Sequence, residues 1–192
     1  MARTTKKILA ESLKQLLARK ALENITVTEL VEVANVNRQT FYYNFKDIYD
    51  LVEWVFREEG KAAIGENLDY AHWHQGFQDF FQYLQTNRTI VMNAFKSYSR
   101  PALERYIKMN ISSIVDELVR SRIKAGTLAE RDVQFIIRAY VLVFTGLTME
   151  WMDCGNDYDY RADMNRFMLL MDGSIDAIAA KFSGKHKKAR LE

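Results

Sequence analysis

Seven consecutive residues, Arg38 to Asn44, hold a guanidinium, two side-chain amides, a hydroxyl and two phenols. Lys46 follows two positions later and Thr28 lies ten positions before. These groups donate and accept hydrogen bonds. None forms a nucleophile–base pair, so the chemistry on offer is recognition. An Arg can bond a guanine edge with two hydrogen bonds, and a Gln or Asn can do the same with adenine. Arg38 and Gln39 are the candidates for those contacts. Tyr43 can pack on a thymine methyl or reach a phosphate.

Such a face needs a helix behind it. Phe41 and Phe45 are four apart, so on a helix they share one side and turn inward. At about 100° per residue, Gln39 and Tyr43 then sit near the opposite side, flanked by Thr40 and Tyr42. Asn37 stands where it caps this helix, residues 38–45. Asn35, a residue that tolerates positive φ, stands in the turn before it. Upstream, Thr26 and Glu29 make a capping-box pattern for a helix whose inward residues are Val27, Leu30, Val31 and Ala34. Two short helices joined by a tight turn have a shape that enters the major groove.

The remaining elements also read as helical. A first helix over residues 5–20 carries Ile8, Leu9, Leu13, Leu16 and Leu17 at helical spacing, with Thr4 or Thr5 as its cap. A fourth begins near Asp47 and runs to about 64. Others are predicted over 72–85, 88–96, 101–124, 131–152 and 161–182. No alternating run bounded by turns marks a strand. The expectation is an all-α chain: a three-helix head over residues 1–47, a helical domain over 48–184 and a basic tail over 185–192.

The chain has 192 residues, 48% hydrophobic and 27% charged, with net charge +2, which excludes a uniformly basic coat. Positive charge gathers locally instead, at Arg3, Lys6, Lys7, Lys14, Arg19 and Lys20, with Glu11 the only acid among them. One Pro and 8 Gly leave room for long helices. The single Cys154 excludes an intrachain disulfide and a multi-cysteine zinc site. The start has no charged-then-apolar pattern of a signal peptide. The longest apolar run, residues 139–152, falls short of the roughly 20 residues of a membrane span. A cytoplasmic protein with no membrane partner is expected. His72 and His74 are two apart and diverge on a helix, so they hold no shared metal. There is no Gly-rich phosphate loop and no GxSxG. No enzyme activity, metal or cofactor is expected.

The segment ANVNRQTFYYNFKDIYDL resembles the signature of the TetR family of transcriptional regulators, through Thr40, Phe41, Tyr42, Tyr43, Phe45, Lys46 and Asp47. The preceding ITVTELVEVA resembles the family's second helix. Three positions depart: Asn35 stands where Gly is usual, Asn44 where His is frequent, and Ile48 where Lys is frequent. The later RAYVLVFTGLTMEWMDCG is similar to a C-terminal domain type of Firmicutes members, the group that includes dihydroxyacetone kinase operon regulators. The resemblance implies that Thr28, Thr40, Tyr42 and Lys46 hold phosphates and set the register. It also places Asn37 and Asn44 among the DNA-contacting residues.

It further implies a homodimer on a palindromic double-stranded operator, acting more as repressor than activator. In the family, two C-terminal helices from each subunit form a four-helix bundle. The candidates here are Ile137, Tyr140, Val141 and Phe144 on one helix, and Phe167, Met168 and Met171 on the last. Gly146 permits a close approach. The middle helices carry Trp73, Phe77, Phe81, Tyr98, Tyr106 and Met109, residues of the kind that line an effector pocket for a small molecule, although a protein partner could act instead. The competing reading is an all-helical protein-interaction module that keeps the head without reading DNA.

Overall fold

The computed structural model describes residues 4–65, 73–124, 126–154 and 160–188, and among these every regular element is helical. In order they are α1 (Thr5–Leu17), a short 3-10 turn (Leu22–Asn24), α2 (Val27–Val33), α3 (Arg38–Asn44), α4 (Ile48–Ile64), α5 (Trp73–Thr86), α6 (Arg88–Phe95), α7 (Arg100–Arg122), α8 (Glu130–Asp153), α9 (Tyr160–Met171) and α10 (Ser174–Lys188). They divide into two compact units, Met1–Ile64 with Asp79–Arg100, and Gly65–Gln78 with Pro101–Glu192.

The first unit is built on α1. Leu9, Leu13 and Leu17 are fully buried, and Leu30, Phe41, Leu51 and Val52 close over them. The unit extends past the boundary expected at residue 47, because α4 and α6 pack on α1 as the short head helices do. Polar contacts fix that packing. Lys14 Nζ donates to both carboxylate oxygens of Glu59, at 2.8 and 3.0 Å, and the Tyr83 hydroxyl donates to the same carboxylate at 2.8 Å. Beside this clasp α4 lacks a side chain at Gly60, where a Cβ would stand 3.5 Å from the Phe80 ring. The Asn93 amide donates to the Leu17 carbonyl at 2.8 Å, satisfying one of the carbonyls left open at the end of α1.

In the first unit α1 stops three residues before the expected end. The Arg19 and Lys20 amides both return to the Leu16 carbonyl, and the chain turns so that Leu22 is buried. Thr4 occupies the N-cap of α1 but makes no side-chain cap bond.

In the second unit α8 is the central helix. Val133, Ile136, Tyr140, Phe144, Thr148 and Trp151 are buried along it. The Phe77 ring stacks on Phe144 with centroids 4.1 Å apart, and Phe167 meets Phe144 edge-on at 5.1 Å. The buried hydroxyls of Thr145 and Thr148 donate to carbonyls one turn back, at 2.7 and 2.9 Å, which removes the cost of burying them. α8 has the length and apolarity of a membrane span, but over half of its apolar stretch is buried inside the unit, as in a core helix. The last helix, expected to be continuous over 161–182, is two. Gly173 has φ +65° and breaks it between α9 and α10. The Ser174 hydroxyl donates to the Met171 carbonyl across the break, at 2.6 Å, and shares a hydrogen bond with Tyr140.

Candidate nucleic-acid interface

The turn between α2 and α3 is fixed by its own backbone. After α2 the Asn35 amide returns to the Glu32 carbonyl at 3.1 Å and the Val36 amide to Val31 at 3.0 Å. This is the paired-bond helix ending that demands a left-handed residue, and Asn35 supplies it with φ +52°. The departure from Gly is thus absorbed without a change of shape. Thr26 caps α2 by accepting the Glu29 amide at 3.2 Å, and the Glu29 carboxylate takes Lys20 Nζ at 2.6 Å.

Asn37 caps α3. Its Oδ1 accepts the Thr40 amide at 2.7 Å and the Thr40 hydroxyl at 2.9 Å. Phe41 faces inward, fully buried, and Phe45 is buried beyond the helix end. The helix stops at Asn44, one residue early, because Phe45 takes an extended conformation and turns onto Trp54, at 5.7 Å. The next helix is locked at once: Asp47 accepts the Asp50 amide at 2.9 Å, and Asp50 accepts the Lys46 amide at 3.0 Å.

The outward face matches the arrangement read from spacing. Arg38, Gln39, Tyr42, Tyr43 and Lys46 are exposed, and Thr28, Thr40 and Asn44 are half-buried beside them. Tyr43 is 91% exposed, the most open large hydrophobic side chain among the described residues. Tyr42 is 58% exposed and lies edge-on to Phe41 at 5.3 Å, so it has one packing contact and one free edge. An Arg38 Nη2 hydrogen bonds to the Thr28 hydroxyl oxygen, which ties α3 to α2 and leaves the Thr28 proton available to a phosphate. Asn44 donates to the Thr40 carbonyl at 2.8 Å, which engages part of its amide within the helix. The Thr40 hydroxyl donates to Asn37, so a phosphate contact from Thr40 requires that proton to turn away.

Lys6, with Lys7, is expected from the sequence to add DNA contacts from the first helix. Its ammonium sits over the Phe45 and Trp54 rings, 5.4 and 5.8 Å from their centroids. Trp54 was missing from the sequence reading. Its place two positions after Val52 in an amphipathic helix gave no sign of a cation contact from α1.

The effector-pocket expectation fares differently. Trp73 and Phe77 are brought together, 5.9 Å apart, as buried core of the second unit. Phe81 and Tyr98 belong to the first unit. Phe81 is buried, and burial pushes the pKa of the Tyr98 hydroxyl well above its usual range, with Glu53 adding to the shift, so the phenol stays protonated. The hydroxyls of Ser97 and Tyr98 are buried without a hydrogen-bond partner. Tyr106 is half-buried and Met109 is 70% exposed on α7, so Met109 lines no enclosed space.

The residues expected at the subunit contact are also placed elsewhere. Ile137, Tyr140, Val141, Phe144, Phe167 and Met171 are buried within one chain, against α8's own neighbours. Residues packed this way are already largely covered by their own chain. The side chain of Met168 lies outside the described residues, as do His72, the side chains of His74 and His186, Arg3 and the end of the tail. On α8 and α9 the large apolar residues left open among the described ones are Phe135, Leu142, Val143, Leu169 and Leu170.

A sequence profile described as a transcriptional regulator C-terminal region, of the TetR type, matches residues 71–173. The chain is similar to the HTH-type dhaKLM operon transcriptional activator DhaS of Lactococcus lactis subsp. lactis (strain IL1403), with 25% identity over 157 residues, 81% of this chain and 83% of that protein. It also resembles a solved structure, the dihydroxyacetone kinase operon activator DhaS, with a TM-score of 0.71 at 23% identity, covering 90% of this chain and 97% of the other. The profile spans more than half of the sequence, and the fold and the helix-turn-helix head agree with it: this chain belongs to the TetR family of transcriptional regulators.

Proposed function

We propose that this protein is a homodimer that binds a palindromic DNA operator through α3 of each subunit and changes transcription of the adjoining genes. The observation that carries the reading is the outward face of α3. Arg38, Gln39 and Tyr43 stand clear of the core on a helix whose buried side is fixed by Phe41. Arg38 and Gln39 read base edges, and Tyr43 meets a thymine methyl or the backbone. Thr28, Tyr42 and Lys46 set the register on phosphates, with Asn37 and Thr40 holding the start of α3 and Asn44 its end.

One head covers too little DNA for a specific site, so two are needed, and their two-fold axis dictates a palindrome. A small molecule or a protein acting on the second unit modulates operator affinity, by binding one head spacing more tightly than another. Repression, expected from the family at large, has no support in the reported relatives, both named as activators. Activation is therefore the sign we propose, in a cytoplasmic protein. A reporter placed behind the bound palindrome rises when the protein is supplied, whereas a fall would restore repression.

The binding itself is tested by selecting duplexes from a random pool with the full chain. Enrichment of one two-fold-symmetric sequence supports the reading. Retention that falls with salt but shows no sequence preference would instead leave a charged interaction module.

A further inference from the structure

The first turn of α1 reaches the far end of α3. The Lys6 ammonium stands 5.4 Å from the centroid of the Phe45 ring and 5.8 Å from that of Trp54, and the two rings meet edge-on at 5.7 Å. A cation within about 6 Å of a ring centroid is drawn to the negative face of the ring. Three helices meet at this point, because Phe45 is the C-cap of α3 and Trp54 lies in the second turn of α4. Lys6 is half-buried there, whereas Lys7, about 100° further round the helix, is exposed.

Phe45 is where α3 stops. Its backbone turns extended, with φ −142° and ψ 140°, and its amide still bonds the Phe41 carbonyl at 2.9 Å. Its ring is buried, so its position constrains the last turn of α3, which carries Tyr42 and Tyr43. It also sets where Lys46 begins, and the Lys46 amide bonds Asp50 in the first turn of α4 at 3.0 Å. Whatever holds the Phe45 ring therefore holds the end of the outward face that meets DNA.

We propose that Lys6 is a positioning residue for sequence reading, acting through Phe45 and Trp54 to fix α3, and that its ammonium grips no phosphate. The inference rests on the operator-binding reading above and assigns one of the basic residues of α1 to a different task. A cation spent on two ring faces is turned toward the protein. Its removal then loosens the placement of α3 without changing the number of phosphates neutralised. A phosphate contact behaves otherwise: losing it weakens specific and non-specific binding alike and lowers the salt slope by about 0.9.

The full chain is tested with Lys6→Met, which keeps the stem and loses the charge, Lys6→Arg, which keeps a cation able to stack on rings, and Trp54→Leu. Dissociation constants are measured for the selected operator and for a scrambled duplex across a salt series. Lys6→Met is expected to weaken operator binding about three- to tenfold, as loss of a partly buried cation–ring contact would, with the scrambled duplex and the salt slope unchanged. Lys6→Arg retains most of the wild-type affinity. Trp54→Leu loses a similar factor, and Lys6→Met adds little in that background, since the two act as one unit. As a second measurement, ring currents shift the Lys6 ε-methylene protons upfield in the NMR spectrum of the free protein, and Trp54→Leu moves them back toward the ordinary lysine position.

A lower salt slope in Lys6→Met, with equal losses on both duplexes, would make Lys6 a phosphate contact and overturn the proposal. So would Lys6 ε-methylene protons at the ordinary position in the wild type, or a Lys6→Met variant that is less heat-stable yet keeps full operator affinity. A wild type that prefers no duplex would overturn the operator reading itself, and the proposal with it.

Discussion

Asn37 and Thr40 are joined twice: one amide oxygen of Asn37 accepts both the backbone N–H and the hydroxyl of Thr40. This pair starts α3, and with it the direction in which Arg38 and Gln39 point. Replacing an N-cap Asn by Ala typically costs about 1 kcal/mol. Asn37→Ala is therefore expected to lower stability by about that amount in urea unfolding and to weaken operator binding, whereas Asn37→Asp, which keeps the cap, retains most of the stability. Equal loss in both variants would remove the cap from the account.

Tyr42 and Tyr43 are adjacent but differ in what holds them. Tyr43 touches almost nothing, so Tyr43→Ala is expected to change stability by no more than about 0.5 kcal/mol, the range of ordinary surface substitutions. Its effect should appear in DNA binding. Tyr42→Ala also removes an edge-on contact with Phe41, and such pairs are worth about 0.5–1.5 kcal/mol beyond their burial. Thermal unfolding of both variants, beside operator titrations, separates packing from recognition.

Phe77 stacks face to face on Phe144 in the core of the second unit. Phe77→Ala leaves a cavity there and is expected to cost about 3–5 kcal/mol, as buried Phe truncations do. Phe77→Leu fills most of the space and should cost less. A Phe77→Ala variant of wild-type stability that alters only a ligand response would make this residue a pocket wall instead.

Glu130 opens α8, and hydrogen bonds from Arg120, then Gln134, hold its carboxyl at about 2. Its pKa is lower folded than unfolded, so whatever stability it gives is complete above the ordinary Glu value near 4.3 and fades as pH falls toward 2. The group is exposed, and the contribution is small. The direct check is its titration by NMR: Arg120→Met should return the midpoint most of the way to the ordinary value. An unchanged midpoint would mean that the Arg120 contact is absent in solution.

The head was legible because its constraints are local. Thr26, Asn35 and Asn37 each announce a cap or turn within four residues, and Phe41 alone fixes which side of α3 is buried. The second unit was legible as helices but not as faces. Spacing along α8 marks two apolar sides and cannot rank them, because Phe77 and Phe167, which choose the inward side, arrive from distant helices. The interface residues were accordingly placed on the buried side. The break at Gly173 was missed because the hydrophobic spacing continues across it. Trp73, Phe77 and Phe81 resembled a pocket lining because aromatic core and aromatic cavity have the same composition.

The most direct test measures affinity for the selected operator and for single-base variants of it, by fluorescence anisotropy at fixed salt, with wild type, Arg38→Ala and Gln39→Ala. Each substitution is predicted to remove about 1–3 kcal/mol of discrimination at one symmetric pair of base positions while leaving non-specific binding nearly unchanged. Unaltered affinity and sequence preference in both variants would show that α3 does not read the bases.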